Sequence, residues 1–144
     1  MIMNCNSGTP VTADILIKMY DLKPHPEGGY FRESYRASEY VPEKSLPDRF
    51  GGDRSFSTAI YFLIPEGKKS RLHRIKSDEI WHFYTGGPLR LVQILSSGEI
   101  QEVIMGEGFN NGHIFQHVVP AGCWFGWPRS PHGPHSSPER RPAV

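Results

Sequence analysis

An all-β chain with one short N-terminal helix and an irregular proline-rich end is predicted from three features of these 144 residues. Thirteen prolines and fifteen glycines punctuate the chain, which is the chemistry of turns. Between them lie short runs rich in β-branched and aromatic residues, such as Ser55–Ile64 and Leu89–Leu95. One stretch alone, near the N-terminus, spaces its apolar residues as a helix does. The length suits a single domain with one core.

Residues 1–11 read as a flexible tail. Thr12 caps a short helix, with Asp14 in its first turn, where a negative charge suits the helix N-terminus. Ile15, Leu16, Met19 and Tyr20 share one helical face, so the helix is expected to lie against the body of the domain. Pro24 and Pro26 forbid its continuation. The Gly28-Gly29 pair then supplies a turn, and Tyr30–Arg36 alternates with the period of a strand. One face of that strand carries Tyr30, Arg32, Ser34 and Arg36. Two arginines there are either a solvated face or an anion-lined pocket wall. Residues 37–54 are polar and proline-containing, a long loop. Ser55–Ile64 is apolar enough for a buried strand. Gly67–Gly87 reads as two short strands and their turn. Leu89–Leu95 and Glu99–Met105 form a hairpin about Ser96-Ser97-Gly98. His113–Val119 and the aromatic run Cys123–Trp127 complete the domain, 12–127. From Pro128 onward five prolines and no large apolar residue before Val144 predict a disordered or loosely attached tail, 128–144.

Sixteen Lys and Arg against fifteen Asp and Glu leave a net charge of +1, without a basic stripe. Nucleic acid and anionic membrane are therefore not expected partners. The many aromatics read as core and pocket wall rather than a base-stacking surface. Two distant cysteines, Cys5 and Cys123, make no disulfide framework, and the start lacks the pattern of a secretory leader. No apolar run approaches a membrane span. A soluble, cytoplasmic protein is the expectation. Neither Gly-Gly pair has phosphate-loop spacing, no GxSxG elbow occurs, and neither cysteine has a triad context.

The chemistry concentrates in Gly67–Gly87. Gly67 is followed after five positions by His73, then Ile75, Glu79 and Gly86. A histidine and a carboxylate at this spacing suit a small divalent metal, or acid–base work in a barrel mouth. They equally suit a hydrogen-bonded pair that only lines a half-polar interior.

This pattern, followed by Gly112 and then Pro120-Ala121-Gly122, resembles the two motifs of the cupin superfamily, GX5HXHX3–4EX6G and GX5–7PXGX2HX3N. The segments HPEGGYFRE, SDEIWHFYTGGPL and VPAGCWFG look like its cupin-5 branch, a domain of unknown function with a small epimerase-like barrel. The resemblance runs from about Thr12 to Trp127. It implies an antiparallel double-stranded β-helix, the cupin or jelly-roll barrel, commonly paired as a homodimer. Two motif histidines are replaced, by Ile75 and Phe125, so of four cupin metal ligands only His73 and Glu79 stand. Members of this branch continue past the second motif with further strands. The proline-rich end differs from that pattern, as a shifted frame or alternative end would make it, and is expected to leave barrel edges unpaired.

The resemblance implies a small-molecule pocket, for an anionic or sugar-like ligand, and three uses for it. In the first, metal-independent epimerase-like chemistry, His73 is the base, oriented by Glu79, and Tyr84 or Tyr30 the acid. Arg32 and Arg36 would hold an anionic group, with Glu33, Thr58, Gln116 and Trp124 also on the substrate side. In the second, a divalent metal sits on His73, Glu79 and a third ligand, with Gln116 or His117 available, as in a dioxygenase, isomerase or decarboxylase. In the third the barrel binds or merely supports, without catalysis.

Overall fold

A computed structural model describes residues 11–128. The expectations for the tail before Val11, and for the proline-rich end after Pro128, lie outside the described residues.

The helix, α1 (Ala13–Met19), begins where the Thr12 hydroxyl accepts from the backbone N–H of Ile15. It ends before the prolines are reached. Asp21 adopts a positive φ of 50°, Leu22 N–H returns to Ile17 C=O and Asp21 N–H to Lys18 C=O. This is a Schellman closure, with buried Leu22 as its apolar stop. The predicted inward face is not buried. Met19 is 65% exposed, Ile15 and Tyr20 are exposed too, and no residue of α1 is fully buried. The helix rests through half-buried Leu16 and Ile17, and through Tyr20 against Tyr61, ring centroids 4.9 Å apart.

Ten strands follow, almost all of them short: β1 (Lys23–Pro24), β2 (Tyr30–Arg36), β3 (Tyr40–Val41), β4 (Arg54–Ser55), β5 (Thr58–Leu63), β6 (Glu79–His82), β7 (Leu89–Ile94), β8 (Ile100–Met105), β9 (Gln116–Val119) and β10 (Trp124–Gly126). They pair antiparallel in sheets ordered β1-β2-β5, β10-β7-β8, β3-β4 and β6-β9. The arrangement is the expected all-β one, built of short antiparallel pairs. The β3-β4 pair lies within and beside the stretch expected to be plain loop. The predicted β7-β8 hairpin closes about Gly98, with Ile94 opposite Ile100.

Three expectations are corrected. The β2 strand does not keep one alternation. Its register against β5 skips Ser34, so Arg32 stands opposite Tyr61 while Arg36 stands opposite Thr58. A bulge of this kind turns the following residues to the other face, and separates the two arginines. Second, β5 is not a buried strand: Thr58 to Tyr61 are exposed, and only Phe62 and Leu63 are half-buried. It pairs with β2 on one side, and no described strand pairs with its other edge. Third, the stretch after Gly67 carries one regular strand, β6. The polar run before it runs alongside β10 without forming a ladder, through Ser70 N–H to Trp127 C=O and a reciprocal pair between His73 and Phe125.

The core is small and lies between β7, β9 and β10. Leu91, Val119, Cys123 and Phe125 are buried, with Ile75, Trp81 and Leu95 packed against them. Gly126 sits where a Cβ would come within 2.6 Å of Ser70 Oγ, so only glycine lets that segment close onto β10.

Candidate functional site

His73 is fixed by backbone on one side and a carboxylate on the other. Its own N–H and C=O bond to Phe125, which anchors the residue to β10. Its Nδ1 lies 3.0 Å from the carbonyl of Arg71, which can only accept, so Nδ1 carries the hydrogen. Nε2 lies 3.0 Å from Glu27 Oε2. The imidazole is largely buried, with the Phe125 ring 4.2 Å away and the Trp127 ring 6.2 Å away.

Glu27 is the residue that sequence reasoning missed. It reaches His73 because Gly28 and Gly29 fold the chain back between β1 and β2, both at positive φ. A Cβ on Gly29 would stand 2.6 Å from Leu63 C=O, and one on Gly28 would stand 3.0 Å from Lys69 C=O. That close approach carries Glu27 to the His73 segment. The available signal was the carboxylate directly before the Gly-Gly pair in HPEGGYFRE.

Glu79 opens β6, half-buried beside the same pair. Burial pushes its carboxyl above the ordinary carboxylate range, His73 pulls it partly back, and Glu27 pushes it up again. On β6 and β9, Trp81 stands opposite His117, and Glu79 opposite buried Val119. His117, rather than Gln116, therefore faces inward. Its Nε2 lies 3.2 Å from Oε1 of buried Gln93, and desolvation lowers its pKa. Gln93 continues outward through Gln101 to Glu99.

Phe62 of β5 lies against both Trp81 and Trp127, at 5.9 and 5.3 Å between centroids, and the two indoles are 5.8 Å apart. Through Trp127 this aromatic group reaches the imidazole. Both indole Nε1–H groups are buried with no acceptor among the described residues.

The other expected site residues lie elsewhere. Tyr61, on the face of β5 opposite Phe62, contacts Tyr20 and Tyr84, and Tyr84 is 73% exposed. Arg32 and Tyr30 share that helix-side face of the β2-β5 pair, and Arg32 donates to Tyr20 C=O. Arg36 forks onto Glu33, lowering the Glu33 pKa, and reaches Ser55 Oγ; Thr58, opposite Arg36, is exposed. Gln116 is paired with His82 on the outer face. Trp124 is exposed beneath the Arg74 guanidinium. The structure thus gathers His73, Glu79 and the unforeseen Glu27, with Trp81, Trp127 and Phe62 around them.

The residues present do not fit the superfamily's metal. Ile75 packs into the core, and fully buried Phe125 lays its ring on the imidazole where a ligand would stand. His73, Glu27 and Glu79 are neighbours, yet among the described residues no three His, Cys, Asp or Glu side chains converge closely enough to hold one ion. A cupin transition-metal site wants at least three protein donors.

Comparison with known proteins agrees with this architecture. The family model described as Cupin superfamily (DUF985) matches residues 14–132. An uncharacterized protein of Saccharomyces cerevisiae, YML079W, is 32% identical over 122 residues, which cover 80% of this chain and 60% of that protein. The chain thus spans about three fifths of that curated relative. A hypothetical protein from Leishmania major is similar in structure, with TM-score 0.72 and 35% identity over 81% of this chain and 69% of the other. The crystal structure of protein SO0799 from Shewanella oneidensis gives TM-score 0.72 and 34% identity, over 83% and 70%.

Proposed function

This chain belongs to the cupin superfamily, in its DUF985 family, and from that premise we propose that it binds a small oxygen-bearing molecule beside His73 and moves a proton on it without a metal. The observation that carries this reading is the Glu27–His73 contact of 3.0 Å, together with the Nδ1–H held by Arg71. With Nδ1 committed to the Arg71 carbonyl, Nε2 is the atom left to take a proton, and the Glu27 carboxylate orients it and balances the charge it gains. Glu79, its carboxyl pushed toward the neutral acid by burial, supplies the complementary donor. A carboxyl held toward its neutral form beside an imidazole can exchange a proton with a carbon next to a carbonyl, as an epimerase or isomerase does. Glu79 therefore replaces Tyr84 and Tyr30 as the acid in this reading.

The test is solvent exchange. In D2O the protein should wash deuterium into the carbon next to the carbonyl of a substrate from a panel of ketoses, lactones and 2-oxo esters, read by proton NMR. His73→Asn and Glu79→Gln should each slow that exchange about 100-fold or more, the usual contribution of a positioned acid or base. Exchange at an unchanged rate in His73→Asn would sink the proposal. Thermal stabilisation by a panel member that never exchanges would instead support a binding barrel without turnover.

The chain is further proposed to act as a homodimer, in a reducing, cytoplasmic setting that keeps buried Cys123 free. The exposed apolar residues Ile15, Met19, Tyr20 and Tyr61, gathered on the helix side of the β2-β5 pair, support pairing. Among the described residues no helix is long and apolar enough to cross a membrane.

A further inference from the structure

Resting on the small-molecule reading above, we infer that the indole N–H groups of Trp81 and Trp127 receive a neutral hydrogen-bond acceptor of the ligand, a carbonyl or ether oxygen. Trp127 is 2% exposed and Trp81 half-buried, and the Nε1 of each is shut off from solvent without an acceptor among the described residues. A buried polar hydrogen without a partner is uncommon, because it has lost water and gained nothing. Two of them on neighbouring rings, 5.8 Å apart and beside a carboxylate-held imidazole, make a donor pair for something that enters.

The chemistry of indole narrows what that is. Its N–H donates and cannot accept, so an ammonium or other donor-only group gains nothing there. The rings packed against the two indoles are Phe62 and Phe125, so apolar ligand atoms suit the neighbourhood of the acceptor. The charge balance disfavours an anion. Glu27 and Glu79 flank a single imidazole. Arg32 and Arg36, which the sequence offers as anion partners, bond to the Tyr20 carbonyl and to Glu33. A carboxylate or phosphate of the ligand would stand against the Glu27 carboxylate with neither of those guanidinium groups free to offset it. A sugar-ring or ketone oxygen fits, and at a ketone the same N–H groups would face the oxygen that gains charge as His73 takes the proton.

The three tryptophans, Trp81, Trp124 and Trp127, give three indole signals in protein labelled with nitrogen-15. Single Trp→Phe variants assign them. The probes are N,N-dimethylacetamide as neutral acceptor, acetate as anion and tert-butylammonium as donor, each titrated over the same range. Dimethylacetamide should move the Trp81 and Trp127 N–H protons downfield and saturably, and leave exposed Trp124 unmoved. Trp127→Phe and Trp81→Phe, each checked for folding by circular dichroism, should raise its apparent Kd several-fold. The wild-type shifts are informative even if one variant fails to fold. Acetate moving the two signals as strongly as dimethylacetamide overturns the neutral assignment. No movement with any probe, or an indole-to-water cross-relaxation that dimethylacetamide does not displace, overturns the donor pair. His73→Asn should retain the indole response. A retained response with no deuterium exchange on any substrate defeats the proton-transfer reading alone.

Discussion

A carboxyl held above its ordinary range is a statement about stability as well as chemistry, and Glu79 is where the two can be separated. Burial is the larger cause of its shift, outweighing the pull of His73. The folded protein therefore binds a proton at Glu79 more tightly than the unfolded chain does. The stability this contributes is fully present below the ordinary value of 4.5 and is lost as pH rises through the raised folded value. Glu79→Gln, which cannot titrate, should match the wild type at the acid end. It should become progressively the more stable of the two as pH climbs through that window. Urea midpoints at a series of pH values measure this, and a variant that loses stability relative to wild type on that climb would contradict the assignment. His117 has the opposite sense: desolvation lowers its pKa, so its contribution disappears as pH falls below the ordinary 6.5.

Among elements, the β1-β2 turn has the most specific geometry. Gly29 combines a φ of 74° with a backbone oxygen 2.6 Å from where a Cβ would stand, so alanine there meets both strain and collision. Gly98, in the β7-β8 turn, has a φ of 85° and open space around it. Gly98→Ala should therefore cost about 1–2 kcal/mol, the strain of a left-handed residue alone. Gly29→Ala should cost roughly 1–3 kcal/mol beyond that, as the carbonyl of Leu63 is displaced. It should also slow deuterium exchange, because Glu27 moves with the turn. Denaturation of the two variants side by side checks the order, and equal costs would show that the close approach is relaxed without consequence. The helix closure is a similar local device: Asp21 holds a left-handed φ of 50°, which glycine would hold without strain.

At the level of the molecule, a small core coexists with a large exposed apolar surface. Phe125, Leu91, Met105 and Val119 are the largest fully buried side chains, while Ile15, Met19, Tyr20 and Tyr61 are all exposed. A second copy covering the helix side of the β2-β5 pair would bring those residues out of water, at roughly 25 cal/mol for each Å² of apolar area removed. Sedimentation equilibrium should therefore return a dimer at micromolar concentration, and Ile15→Lys with Met19→Lys should shift it toward monomer by at least tenfold in Kd. Both positions are exposed in the single chain, so neither substitution opens a core. A wild-type chain that stays monomeric at every concentration would remove the pairing from the proposal.

What local pattern could reveal was read well. The Thr12 cap, the hairpin about Gly98, the all-β content and the motif glycines each depend on residues a few positions apart, and each stands where the sequence put it. His73 and Glu79 were identifiable for the same reason, since one short segment carries both. The partner of His73 was not, because Glu27, 46 positions earlier in the chain, reaches it only through the fold-back at Gly28-Gly29. The separation of Arg32 from Arg36 rests on one unpaired residue in β2, a register detail that alternation in the sequence does not encode. Exposure of α1 and β5 was equally hidden, since an apolar face records that burial is favourable but not whether this chain or another covers it. Pattern within a segment fixes what the segment is; which distant groups meet, and how much water they lose, is set by three-dimensional closure, and that is what makes the Glu27–His73 pair and the two unpaired indoles a site.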